Sequence, residues 1–216
     1  MINMDFSKRV IIDTRTSDWA PSPKPGVWRK PLAREDAERG HATSVVRYEP
    51  GASFHSHNHP GGEEILVLEG TFSDETGDFG VGTYFRNPAG FVHAPFSREG
   101  CLILVKLHQF EASDQQRLSV KIDDGDWVVD DRGVKVLELH SHSSERVCLF
   151  KMEANQTLDL SHLSSTELFV IEGELTILGE NTDSNKLMTA GWLRSPNGDK
   201  FIAQQTTMVW LKSGHF

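Results

Sequence analysis

Cysteine is scarce in this chain: 216 residues hold only Cys101 and Cys148. Each lies in an apolar run, GCLILVKL or RVCLFKM, and reads as a small buried hydrophobe. No CxxC or cysteine-rich module is present to hold zinc or carry redox chemistry. Long apolar stretches are also missing. Nothing approaches the roughly 20 residues of a membrane helix, and the opening MINMDFSKRVIID lacks the apolar core of a signal peptide, so a cytoplasmic protein without a membrane partner is expected. Positive charge is in deficit, with 22 basic residues against 31 acidic ones and a net charge of −9. That balance supplies no footprint for a phosphate backbone, and nucleic acid is not an expected partner. Helical periodicity is confined to residues 33–40 and 113–117, and neither stretch is long enough to build a layer.

What the chain does have is short β-forming runs: TSVVRY, EEILVL, TYFR, CLILVKL, DWVV, VKVLEL and VCLFKM. Clusters of Gly, Pro, Asn and Asp separate them, so the fold class is all-β, a sandwich or barrel. The pattern is written twice. EILVLEG at 64–70 returns as ELFVIEG at 167–173, GTYFRNP at 82–88 as GWLRSP at 191–196, and LILVK at 102–106 as MVWLK at 208–212. Two copies of one β-domain are expected, with the join in the polar segment between Phe110 and Asp126. The division is placed at 1–115 and 116–216, the first part opening with a proline-rich lead.

The chemistry concentrates in SFHSHNHPGGE, residues 53–63. Side chains alternate along an extended segment, so His57 and His59 point to one face and Asn58 to the other. Pro60-Gly61-Gly62 can turn the chain and bring Glu63 to the start of the next strand, and His93 in NPAGFVHAP can arrive from a distant one. Three imidazoles and a carboxylate suit a borderline divalent metal such as Zn, Fe(II), Mn, Ni or Co and leave coordination positions open. His55 and Glu64 stand as alternative members of the set. In the second copy, a one-residue gap at Pro60-Gly61-Gly62 sets Ser161, Leu163 and Thr166 opposite His57, His59 and Glu63, and Phe201 opposite His93. That copy is expected to be metal-free.

These residues resemble the cupins, whose first motif is G(X)5HXH(X)3-4E(X)6G and whose second is G(X)5PXG(X)2H(X)3N. Gly51, His57, His59, Glu63 and Gly70 match the first. Gly82, Pro88, Gly90 and His93 match the second, with Ser97 in place of the closing Asn. PSPKPGVWRKPL, TSVVRYEPGASF, HNHPGGEEILVLEGTFSDETGDFGVGTYFRNPAG and GCLILVKLHQF are similar to the ChrR-type cupin domain, known from the zinc-binding half of an anti-sigma factor. The likeness is strong over residues 19–110 and weak beyond. It implies two tandem jelly-roll β-barrels, a bicupin with a degenerate second barrel. It also implies one divalent metal in the first barrel, with zinc the first expectation and Fe, Mn or Ni the others, held by His57, His59, Glu63 and His93. A sigma-factor partner is not expected, because the residues before Trp19 are too few and contain no cysteine for a HxxxCxxC-type helical module.

The function that follows is sensing or binding of a small molecule, with an Fe(II)-dependent dioxygenase acting on a diketone or thiol as the alternative. Arg47, His55, Tyr84, Arg86 and Phe91 are the expected pocket lining, with Arg47 or Arg86 suited to a carboxylate. Edge strands leave backbone groups open for pairing, and a two-fold homodimer is expected.

Overall fold

A computed structural model describes residues 1–36, 40–179 and 185–216 of the chain. Residues 1–4 and 18–124 form one compact unit, and residues 5–17 and 125–216 the other. Each is an antiparallel jelly-roll barrel. In the first, the main sheet runs Leu118–Lys121, Thr83–Asn87, Glu63–Asp74, Cys101–Leu107, Ala42–Tyr48, Val27–Arg34 and Ala20–Pro21, with Gly77–Gly80 on the far half of Glu63–Asp74. A separate ribbon pairs His57–His59 with Phe91–His93. In the second, Val10–Asp13, Gly191–Asn197, Ser164–Glu172, Thr207–Ser213, Glu145–Met152, Lys135–His142 and Val128–Val129 make the large sheet. Thr157–Asp159, Lys200–Ala203, Glu174–Ile177 and Lys186–Met188 make the smaller one.

Alternation builds both cores. Ile65, Val67, Phe85, Ile103 and Val105 face one another inside the first barrel, while Leu168, Val170, Leu193, Val209 and Leu211 do so in the second. The sequence repeat is a structural repeat. Glu64 pairs with Arg86 on one side and Lys106 on the other, and Glu167 pairs with Arg194 and Lys212 in the same way. The bulge also recurs, at Leu68 in one barrel and Ile171 in the other, where the register shifts by one residue.

Gly70 shows why a turn residue is repeated. Its φ is 68°, and a Cβ there would lie 2.1 Å from the carbonyl oxygen of Gly100. Gly70→Ala is therefore expected to destabilise the first barrel by more than about 1 kcal/mol, read as a lower denaturant midpoint. An unchanged midpoint would show that the backbone relaxes freely there.

The described residues of the two stretches with helical spacing are not helical. Ala33 and Arg34 close the strand Val27–Arg34, and residues 37–39 lie outside the described residues. Over 113–117 the Asp114 carboxylate accepts from the Gln116 amide at 3.2 Å, a local bond that competes with helix formation. The helical turn found among the described residues is the 3-10 turn Ile122–Asp124. None of the described helices is long and apolar enough to cross a membrane.

Candidate metal centre

The ribbon His57–His59 with Phe91–His93 sets His57 directly opposite His93. Period-two alternation then turns His57, His59 and His93 to one side and leaves Asn58 and Val92 exposed. Gly62, at φ 79°, reverses the chain after His59 and starts the strand that carries Glu63. The four side chains converge. His59 Nε2 lies 2.9 Å from His93 Nε2, and the Glu63 oxygens lie 3.5 Å from His59 Nε2 and 3.4 Å from His93 Nε2. Donor atoms of the three imidazoles fall within 4.8 Å of one another, a group able to hold a metal ion.

Hydrogen bonds aim these donors. His93 Nδ1 donates to Asp74 Oδ2 at 3.0 Å, which leaves its Nε2 lone pair facing the cluster. His57 Nδ1 donates to the His55 carbonyl at 2.8 Å, which makes Nε2 the nitrogen with the free lone pair. Asp74 is itself fixed by the Thr76 amide and hydroxyl at 2.7 and 2.6 Å, and Asn87 donates to Glu63 at 3.2 Å. Burial lowers the pKa of His59, outweighing the opposing pull of Glu63. For His93, burial also works against the charged form, but the Asp74 hydrogen bond and the nearby carboxylates prevail and raise it. Asp74 shows the converse: burial opposes its ionisation, and the bonds from His93 and Thr76 hold its pKa below the usual carboxylate range.

The donor set passes a test of fit. Two imidazole nitrogens 2.9 Å apart, one of them committed as a lone pair by the Asp74 bond, need a shared proton or a cation between them. Separations of 2.9, 3.4 and 3.5 Å also match neighbouring ligands on one ion with bonds of about 2.0–2.2 Å.

The family model described as the ChrR Cupin-like domain matches residues 7–111. The first barrel belongs to the ChrR-type cupins. Solved structures extend the likeness to the whole chain. A protein of Nostoc punctiforme, described as a candidate dioxygenase, covers 97% of this chain and 83% of its own at a TM-score of 0.79 and 14% identity. The bacterial pirin YhhW of Escherichia coli, in complex with nickel(II), covers 95% and 98% at 0.72 and 14%. A variant of the Bacillus subtilis oxalate decarboxylase covers 95% and 76% at 0.64 and 12%. At these identities the likeness is one of fold. No curated protein matches the chain by sequence.

Of the remaining expected residues, the first cupin sets Phe91 against the imidazoles and the side chains of the others apart from them. The His55 side chain is exposed, and only its backbone oxygen serves the cluster. Glu64 points to the other side of its strand, where it accepts from the Tyr84 hydroxyl at 3.0 Å and lies 3.7 Å from Arg86. Arg86 is fully buried and bonds Asp114 at 2.5 Å. Arg47 is exposed with its guanidinium over the Trp19 ring. Phe91 packs edge-on against His93 beneath Arg117. A cavity of about 390 Å³ opens beside His57, His59 and Glu63, and other residues line it: Arg29, Tyr48, Phe54, Ile103, Val105 and Leu107 among them.

The second cupin replaces the cluster with packing, in a register that differs from the sequence alignment. Leu158 stands opposite Phe201 as His57 stands opposite His93, and Leu160 follows two residues on as His59 does. Leu158, Leu160 and Phe201 are all buried in one hydrophobic cluster. Ser161, the aligned counterpart of His57, is exposed, and Leu163 is partly buried at the edge of that cluster. The alignment missed this because the segment before Thr166 carries two extra residues, which a one-residue gap cannot represent. Thr166 does occupy the place of Glu63, bonding the Ser195 carbonyl instead of a histidine.

Sequence reasoning also missed Asp74 and Asn87. Asp74 comes from the far end of the strand that Glu63 begins, and no local spacing links it to His93.

Proposed function

We propose that the first cupin binds one divalent metal ion through His57, His59, Glu63 and His93, and that the ion serves to bind and sense a small molecule. The observation that carries this is the convergence of three imidazoles and a carboxylate, with hydrogen bonds at Nδ1 that leave Nε2 as the free lone pair of His57 and His93. When bound, the ion supplies a Lewis acid with open positions for an oxygen or sulfur donor. The chain's own residues do the rest: Asp74 orients His93, Asn87 orients Glu63, and the cavity beside them admits the ligand.

Zinc is the proposed ion. Elemental analysis of protein purified without added metal or an affinity His-tag tests this, and zinc near one equivalent per chain is the expected result. Iron instead would favour the second reading, an Fe(II) dioxygenase, which the description of the Nostoc neighbour also prompts. Oxygen uptake over a panel of diketones and thiols then decides between them, and turnover would end the sensing reading.

Metal retention is expected to fall with pH. Coordination requires neutral imidazoles; the Asp74 carboxylate favours the imidazolium of His93 and so raises its pKa, while burial lowers that of His59. Proton competition therefore begins above about pH 6.5 and is complete below about pH 5. Metal content after dialysis across that range checks the sign, and full occupancy at pH 4 would contradict a three-histidine site.

A further inference from the structure

The cavity beside the imidazoles has a charge that the rest of the chain does not share. Lys24, Arg29 and Arg34 line it, and Glu63 is its one acidic side chain among the described residues, although the chain as a whole carries −9. Arg29 lies on the strand Val27–Arg34, two residues from the buried Val27 and paired with Val46, whose side chain lines the same cavity. Tyr48 is 6% exposed, wedged between the Phe54 and Phe72 rings, and no hydrogen-bond partner for its hydroxyl is found among the described residues. Burial, and then the charge of Glu63, raise its pKa well above that of a free phenol, while Arg29 acts in the opposite sense. The hydroxyl is thus a neutral donor that senses both ends of the cavity. Val46, Ile103, Val105 and Leu107 give the cavity an apolar wall, with Ser44, Asn58 and His108 as further polar lining.

We propose that this cavity binds a small organic carboxylate with an apolar body, its carboxylate held by Arg29 and Tyr48 and its body against Val46, Ile103 and Val105. The position is that of the proposed metal-dependent ligand, and the inference rests on that reading for the ion's place beside the carboxylate. Guanidinium and phenol donate to the same oxygens, a charge-assisted arrangement that an alcohol or amine of equal length does not satisfy. Arg29 donates to Ser22 Oγ at 3.2 Å while lining the cavity, whereas Arg47 and Arg86, the arginines expected from sequence, do not line it and turn to Trp19 and to Glu64 and Asp114.

Calorimetric titration of the full chain with acetate, butyrate and hexanoate, alongside 1-butanol, 1-hexanol and inorganic phosphate, tests the inference. Affinity is expected to rise by about fourfold per buried methylene along the acid series, with the alcohols at least about tenfold weaker than the matching acids. Arg29→Gln should weaken the acids by about tenfold or more and leave the alcohols unchanged, while Arg29→Lys should recover part of the loss. Tyr48→Phe, which removes only the hydroxyl, should cost about fivefold, and Arg47→Gln should change nothing. Equal binding of acids and alcohols, phosphate binding tighter than every acid, or an unaffected Arg29→Gln would each overturn it. Metal content measured on the same samples separates the two readings. Arg29-dependent binding to a protein that holds no metal would retain the carboxylate site and end the metal proposal, and a metal-loaded protein that ignores the acids would do the reverse.

Discussion

Replacing His93 with alanine is expected to abolish metal retention by the first cupin and to destabilise it at the same time. The imidazole is fully buried and serves two partners: its Nε2 faces His59 and Glu63, and its Nδ1–H is donated to Asp74. Removing the ring leaves Asp74 Oδ2 without its donor in a site only 5% exposed, with the Thr76 bonds to Oδ1 remaining. Deleting one member of a buried pair costs about 3–5 kcal/mol. Elemental analysis and denaturant unfolding read the two losses separately. Because a partly unfolded variant would lose metal trivially, Asp74→Asn provides the sharper comparison. It keeps the shape but offers one acceptor oxygen where Asp74 offers two, so it cannot accept from both the Thr76 amide and His93 Nδ1–H, and it should lower metal affinity by about 10–100-fold in a chelator competition. Full metal occupancy in a folded His93→Ala protein would remove His93 from the site.

Phe201→Ala is expected to cost about 3–5 kcal/mol in the second cupin while leaving the metal content of the chain unchanged. Phe201 is 1% exposed and packs in one cluster with Leu158, Leu160, Leu175 and Ile177. In the first cupin the corresponding space belongs to imidazoles and a carboxylate, groups that cannot be left there without a counter-ion or hydrogen bonds. The second barrel has solved the same problem with apolar volume, so truncation leaves a cavity where no ligand chemistry is lost. Urea unfolding gives the first number and elemental analysis the second. A drop in metal content with Phe201→Ala would show that the second barrel takes part in metal binding after all.

The two cysteines sharpen the contrast between chemistry and packing. Burial pushes both thiols up to about 11, so neither is a thiolate near neutrality, as their apolar surroundings in the sequence indicate.

The legible part of this protein was whatever depends on neighbours in sequence. The His-x-His spacing dictates a shared face because a strand alternates every residue, and the repeated Gly70 and Gly173 mark places where the backbone adopts a positive φ. The repeat of EILVLEG as ELFVIEG determined that there would be two barrels, since the same inward pattern must bury the same kind of core.

What the sequence could not express is partnership between strands far apart in the chain. Asp74 reaches His93, Asn87 reaches Glu63, and Arg29 rather than Arg47 or Arg86 enters the cavity, each through a register fixed by the burial of whole sheets. The same holds for Leu158 and Leu160, which take the places of His57 and His59 only because Leu158 pairs with Phe201. A one-residue slip in pairing exchanges the two faces of a strand, so no local pattern decides which distant side chain will meet which. The side-chain types of the cluster were set by sequence; their orientation, their supporting bonds and the cavity they face were decided by the tertiary structure.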